Sequence, residues 1–186
     1  MTARRAPVFG KQLHTPAYTL AGDEIAVIET SKGTIRVRLD GDGAPIHVAN
    51  FCELAQMGFY DDLKFHRYAP GFVIQGGCPN TRDMTPEQVA AGQSGPDGMP
   101  GTGGPGWSIK AEFATNPRNS HEDGALAMAR SQDPDSAGSQ FYFCLGPQHM
   151  LDSGYTVFGS TIEGLDVIGS LRVGDVIEHV EIVHES

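Results

Sequence analysis

The stretch Phe65-His66-Arg67-Tyr68-Ala69-Pro70-Gly71-Phe72-Val73-Ile74-Gln75-Gly76-Gly77 decides how the rest of the chain is read. A strand-sized segment ending in Phe65, a Pro-Gly turn, the run Phe72 to Gln75 and a Gly-Gly break predict two short strands with a tight connection. Arg67 and Gln75 then stand at matching ends of that pair. No acidic residue occurs from Leu63 through Gly77, so the arginine has no local ion-pair partner. A charge buried or half-buried among apolar side chains needs one. Either a distant carboxylate answers it or a ligand does.

Toward the N-terminus, Ile35, Val37 and Leu39 alternate with Thr34, Arg36 and Arg38, the period-two pattern of a strand with one wet face. With Ile25 to Thr30 before it and Gly33 in the turn, this reads as a hairpin. Asp40-Gly-Asp-Gly has two acidic positions of a calcium loop, but neither a third ligand nor a closing glutamate follows at the required spacing. It leads instead into a helix from about Pro45 to Met57, with Val48, Phe51, Cys52 and Ala55 on one face and Gly58 as the stop. Residues 1–22 carry no sustained period and are expected to form an extension on a domain spanning 23–186.

Toward the C-terminus, Cys78 to Trp107 is the least regular region, a long loop rich in Gly, Pro, Asp and Asn, in which Thr85-Pro-Glu-Gln88 opens a short capped helix ending near Gly92. Gly101-Thr-Gly-Gly-Pro-Gly106 spells G-x-G-x-x-G, yet a Gly/Pro loop precedes it where a dinucleotide site has a buried strand. It reads as a loop whose backbone approaches something closely, a peptide included. Ala125 to Ala129, Gln140 to Leu145, Tyr155 to Phe158 and Val176 to Val183 read as strands, and Leu165 to Leu171 as a helix. Gly138-Ser139-Gln140 lacks the second glycine of a nucleophile elbow. The sum is a mostly β fold, an eight-stranded antiparallel closed barrel capped by two helices.

Composition narrows the function. With 13 Lys and Arg against 23 Asp and Glu the net charge is −10, and the chain lacks the cationic footprint of a nucleic-acid or anionic-membrane partner. Its apolar runs, Ile25 to Ile28 and Phe141 to Leu145 among the longest, fall short of a bilayer span, and the N-terminus has no secretory apolar region. The chain as given is expected in the cytoplasm. Cys52, Cys78 and Cys144 form no C-x-x-C pair, and the seven histidines show no H-x-x-x-H spacing. Free buried thiols, no metal and no cofactor are the expectation.

The motifs Phe65 to Gly77, Gly101 to Gly106, Ala127-Met-Ala-Arg130 leading to Ser136-Ala-Gly-Ser-Gln-Phe-Tyr142, Leu151-Asp152 and Tyr155-Thr-Val-Phe-Gly159 resemble those of the cyclophilins. These are peptidyl-prolyl cis-trans isomerases with an eight-stranded barrel, and the likeness covers about Ile25 to Val183. The resemblance implies that Arg67 is the catalytic arginine, acting with Gln75 and Phe72. It implies that Phe72, Val73, Tyr142 and Leu151 form a proline pocket, and that Gln75, Ala129 and Gln140 hold the substrate backbone. Gly101, Thr102, Ala129, Arg130 and Ser131 would line the subsite before proline, with His66 and Tyr155 at the rim. Proline-containing peptides and folding proteins are the implied partners of a monomer.

Three residues depart from the pattern. Val73 stands where many relatives have methionine, Tyr142 where phenylalanine is usual, and Met150 where some carry the tryptophan that contacts cyclosporin. The last bears on affinity for that drug rather than on catalysis. Asn80 to Pro100 exceeds the family's short connection. It reads either as a surface insertion or as a border of the groove that selects the residues before proline. The alternative function is a proline-peptide binding or chaperone module using the same groove without turnover.

Overall fold

The computed structural model describes residues 12–185. The alternating segment forms a hairpin of β1 (Glu24–Thr30) and β2 (Gly33–Leu39), with Ile35, Val37 and Leu39 buried. Thr30 pairs with Gly33, leaving Ser31 and Lys32 as the turn, and Gly33 adopts φ +134°, a region that glycine enters without steric cost. Pro45 opens α1 (Pro45–Gln56), where its missing N–H forfeits no helical bond. The buried face of α1 contains the four expected residues together with His47, Asn50 and Leu54, and it rests on the strands that close the chain.

The remaining elements are β3 (Leu63–Lys64), β4 (Arg67–Ala69), β5 (Val73–Gly76), α2 (Pro86–Ala90), β6 (Ala125–Met128), β7 (Phe141–Cys144), β8 (Val157–Glu163), α3 (Leu165–Ser170) and β9 (Val176–His184). All nine strands join one antiparallel sheet in the order β3-β9-β1-β2-β8-β6-β7-β5-β4. Its two ends, β3 and β4, are separated in the chain only by Phe65 and His66. The Phe65 N–H donates to the Asp175 carbonyl and its own carbonyl accepts from Gly174 (both 2.9 Å), while the His66 N–H donates to Gln75 O at 3.0 Å. One run of chain thus pairs with β9 by its first half and with β5 by its second, and covalent continuity closes the curl. The strand expected to end in Phe65 stops at Lys64 as β3, and the chain resumes after the change of partner as β4 through Ala69, so the expected eight strands become nine.

The two expected capping helices are α1 and α3, and α2 is the short helix of the insertion. A reciprocal capping box opens α2, Gln88 N–H to Thr85 Oγ1 at 3.1 Å and Thr85 N–H to Gln88 Oε1 at 2.9 Å. The strand expected at Tyr155 begins at Val157 and runs on to Glu163. Of the expected N-terminal extension, residues 1–11 lie outside the described residues. Residues 12–22 form neither helix nor strand, and within them the His14 ring stacks on Trp107 at 4.0 Å between centroids. Cys52, Cys78 and Cys144 are buried free thiols. Among the described residues no helix is long and apolar enough to cross a membrane.

The core is ring-rich. Phe141 meets Phe51, Tyr60, Phe65 and Phe143 edge-on at centroid distances of 6.0, 5.5, 6.2 and 5.9 Å. Edge-to-face contacts of this kind suit the ring quadrupole. Alternation along β7 sends Phe141 and Phe143 into that core and Tyr142 and Cys144 to the opposite face. A second apolar cluster forms there with Val73, Ala125, Ala127 and Val157, flanked by the half-buried Phe72, Ala129, Leu151 and Tyr155. Because Phe141 is the common neighbour of four rings, Phe141→Ala is expected to lower the unfolding free energy by about 3–5 kcal/mol. Urea unfolding followed by fluorescence measures it, and a loss below about 1 kcal/mol would contradict this account of the core.

Candidate active site

The second cluster is the floor of the site, and sheet register places its polar groups. Arg67 of β4 lies opposite Gln75 of β5, Gln75 opposite Tyr142 of β7, and Tyr142 opposite Ala127 of β6. Cross-strand neighbours share a face. A cavity of about 210 Å³ opens over this row, lined by Arg67, Phe72, Val73, Gln75, Ala129, Arg130, Tyr142, Leu151 and Tyr155. A second, of about 380 Å³, shares Gln75, Ala129 and Arg130 with the first and adds Gly101, Thr102, Ser131 and Gln140.

Arg67 is exposed at the mouth of the smaller cavity, not buried, and among the described residues no carboxylate pairs with it. The expectation of a buried charge that needs a partner is corrected: water reaches this guanidinium, so no ion pair is obligatory. Its contacts are a long approach of Nη1 to Gln75 Oε1 at 3.5 Å and a position 5.9 Å from the Phe72 ring centroid. Gln140 Nε2 donates to the carbonyls of Gly101 (2.9 Å) and Gly103 (2.8 Å), and Gln75 Nε2 donates to Gln140 Oε1 (3.1 Å). Gln140 has spent both hydrogens of its NH₂, and Gln75 directs its nitrogen at Gln140, so Gln75 turns its oxygen toward Arg67. The glycine loop's carbonyls thereby set the direction of the relay that ends on the arginine. The backbone approach expected of that loop is to the protein itself: a Cβ on Gly103 would lie 2.5 Å from Asn80 Oδ1.

The other expected residues separate into three groups. Phe72, Val73, Tyr142, Leu151 and Tyr155 meet around the smaller cavity. Arg130 lines both cavities but is engaged, donating from Nε to Gly154 O (2.9 Å) and from Nη1 to Ser131 O (2.9 Å), with its guanidinium 4.5 Å over the Tyr155 ring. It stiffens the wall rather than offering free donors. His66 and Met150 line neither cavity. Met150 is 73% exposed, and His66 sits beneath Gly101, whose Cβ would fall 3.3 Å from its Nε2.

Sequence reading missed His121, whose ring touches the hydroxyl of Tyr142, and Asp152, which touches His121. The signal was Tyr142 itself, since a buried tyrosine hydroxyl needs a partner. It also missed Trp107, whose indole N–H donates to Asn50 Oδ1 at 2.9 Å while Asn50 Nδ2 holds the Gly138 carbonyl at 2.8 Å. Both Trp107 and Gly138 line the larger cavity.

A sequence model of the family described as cyclophilin type peptidyl-prolyl cis-trans isomerase/CLD matches residues 25–185. A peptidyl-prolyl cis-trans isomerase of Synechococcus elongatus is 44% identical over 163 residues, covering 87% of this chain and 97% of the relative. Isomerase B of Bacillus subtilis is 43% identical over 148 residues, covering 80% and 90%. Among solved structures, a cyclophilin-type isomerase of Cryptosporidium parvum, crystallised in the presence of the dipeptide Ala-Pro, superposes with a TM-score of 0.67 at 26% identity, covering 87% and 99%.

Burial, and then the charge of Arg67, push the His66 imidazole down from the ordinary 6.5 to about 4, and its Nδ1 has no partner among the described residues. A histidine held neutral in the fold binds fewer protons than its unfolded counterpart between those values. Its contribution is therefore complete above about pH 6.5 and is lost as the pH falls toward about 4. In His66→Gln the acid slope of stability across that window is expected to be shallower than in the wild type. Urea unfolding at stepped pH measures it, and parallel slopes would contradict it.

Proposed function

The chain belongs to the cyclophilin-type peptidyl-prolyl cis-trans isomerases, enzymes that rotate X-Pro peptide bonds, and from that premise we propose that Arg67 supplies the donor on which this rotation depends. Rotation about an X-Pro amide meets a barrier of about 18–20 kcal/mol because the nitrogen lone pair is delocalised. At the top of the barrier that pair is localised on a pyramidal nitrogen. A donor aimed there binds the transition state better than either planar ground state, which is what accelerates a reaction. Arg67 has guanidinium N–H groups without a partner among the described residues, lies within 3.5 Å of Gln75 Oε1, and stands at the mouth of a cavity of about 210 Å³ whose walls include Phe72, Val73, Tyr142 and Leu151. This is the observation that carries the reading. Guanidinium stays charged at any working pH, and rotation breaks no covalent bond, so no nucleophile or proton transfer enters.

In this reading the proline ring sits among Phe72, Val73, Tyr142 and Leu151, which exclude water, and Gln75, Ala129 and Gln140 hold the substrate backbone. The larger cavity receives the residue before proline against Gly101, Thr102, Ala129, Arg130 and Ser131. Asn80 ties the insertion to that wall: Nδ2 donates to Met99 O and to Thr102 Oγ1, both at 3.0 Å. The insertion accordingly selects upstream residues through Thr102. The substrates are proline-containing peptides, like the dipeptide present with the Cryptosporidium relative, and segments of folding proteins. We place the enzyme in the cytoplasm as a monomer, a setting its free thiols suit. Cyclosporin is expected to bind weakly, because the exposed Met150 offers no flat aromatic wall. Against a binding module without turnover we set the joint presence of Arg67, Gln75 and Phe72.

Arg67→Ala is expected to reduce kcat/KM for a short Ala-Pro-Phe peptide by about a hundredfold or more, as loss of a transition-state donor does elsewhere. Cis-to-trans relaxation of the peptide measures it, and a change below about threefold would remove Arg67 from the mechanism. Asn80→Ala is expected to change relative rates among peptides differing only in the residue before proline. Identical rate ratios in wild type and variant would show that the insertion does not select.

A further inference from the structure

Behind Tyr142 lies a polar chain of His121, Asp152 and His149, none of which lines the smaller cavity. His121 is fully buried, its Nδ1 is 2.8 Å from Asp152 Oδ1, and its Nε2 is 2.8 Å from the Tyr142 hydroxyl oxygen. The backbone N–H of His121 donates to the same carboxylate oxygen at 2.6 Å, while His149 Nδ1 takes the other at 3.0 Å from the solvent side. Burial pulls the His121 imidazole down. It also pushes the Asp152 carboxyl up, but the His121 backbone N–H and the two histidine side chains outweigh burial and hold the carboxyl below its ordinary range.

These facts assign the protons. An ionised carboxylate only accepts, so the Nδ1 of His121 carries hydrogen; a neutral imidazole then leaves Nε2 bare, and the Tyr142 O–H must donate to it. The two rings stack with 14° between planes and 5.9 Å between centroids, so the hydroxyl bond and the ring contact restrain the same side chain. Asp152 is also covalently next to Leu151, at the end of the 3-10 turn His149–Leu151, and Asn119 Nδ2 fastens its carbonyl at 2.6 Å. A single carboxylate therefore reaches two walls of the pocket, Leu151 through the chain and Tyr142 through His121.

We propose that His121 and Asp152 are positioning residues for the isomerase reaction, which hold the Tyr142 ring through its hydroxyl at a set distance from Leu151 and so define the seat of the proline ring. This rests on the reading that the smaller cavity takes proline. A phenylalanine at position 142 could not be held in this way. The ring packs on proline in ground and transition states alike, so its displacement weakens both equally and appears in KM rather than in kcat.

The test compares Tyr142→Phe, Asp152→Ala and the double variant by KM and kcat on an Ala-Pro-Phe peptide. Each single change is expected to raise KM about three- to tenfold, the range of one buried hydrogen bond, with kcat within about twofold. The double variant should show no more than the larger single effect, because Asp152 acts through the hydroxyl. A purely structural role lowers the folded fraction, and with it apparent kcat, but leaves KM in place. An unchanged KM in Tyr142→Phe, or multiplied effects in the double variant, overturns the proposal.

Should Asp152→Ala fail to fold, the wild-type protein reports directly. Nitrogen NMR of the His121 imidazole at neutral pH is expected to show hydrogen on Nδ1 and a bare Nε2, and an Nε2-protonated ring overturns the assignment. Arg67→Ala in the same assay tests the underlying reading separately, since its full activity would sink that reading and leave the His121 tautomer untouched.

Discussion

The register that sets Arg67 opposite Gln75, Gln75 opposite Tyr142 and Tyr142 opposite Ala127 is the constraint on which the site depends. Side chains alternate along a strand, so a slip of one residue in any of these ladders would send a pocket residue into the core. The core prevents such a slip. Phe141 and Phe143 occupy the inner face of the strand whose outer face carries Tyr142, and their ring contacts are satisfied in one register only. Barrel closure adds a second lock, because the run from Leu63 to Ala69 must meet β9 and β5 in succession. Gly76 and Gly77 permit that meeting: a Cβ on the first would lie 2.9 Å from the Phe65 ring and one on the second 2.5 Å from the Ser139 carbonyl.

Electrostatically the candidate site keeps a cation on an acidic chain. The chain carries a net charge of −10, yet among the described residues no carboxylate pairs with the arginine at the groove. Arg38 and Arg118, by contrast, are answered by Glu185 and Asp40, while Arg82, Arg130 and Arg172 donate to backbone carbonyls. A carboxylate beside Arg67 would occupy the N–H groups that the proposed mechanism assigns to the substrate amide. Neutral amides orient the guanidinium instead, and since Gln75 and Gln140 pass hydrogen bonds from the Gly101 and Gly103 carbonyls, they do so without cancelling its charge.

Much of this was legible from local pattern. The alternation of Ile35, Val37 and Leu39, the Pro45 start of α1, the Thr85 to Gln88 capping box and the Arg67–Gln75 pairing all rest on interactions within a few residues or on a single turn. Arg67 was misjudged as a buried charge because exposure depends on what the sheet leaves uncovered, and neighbours in sequence do not report that. The strand count differed by one because ladder assignment depends on β9 and β5, which approach the Phe65 run from distant parts of the chain.

The sequence by itself therefore determined the antiparallel barrel and its helices and brought forward candidates for the groove, of which His66 and Met150 line neither cavity, since periodicity, turn chemistry and long motifs are written in consecutive positions. Tertiary structure alone decided what holds those residues. His121 meets Asp152 across 31 positions and Tyr142 across 21, and Asn80 meets Thr102 across 22. No periodicity spans such separations. A hydrogen-bond donor finds its acceptor only after strands distant in sequence have been brought side by side and the core has excluded the water that would otherwise have taken its place.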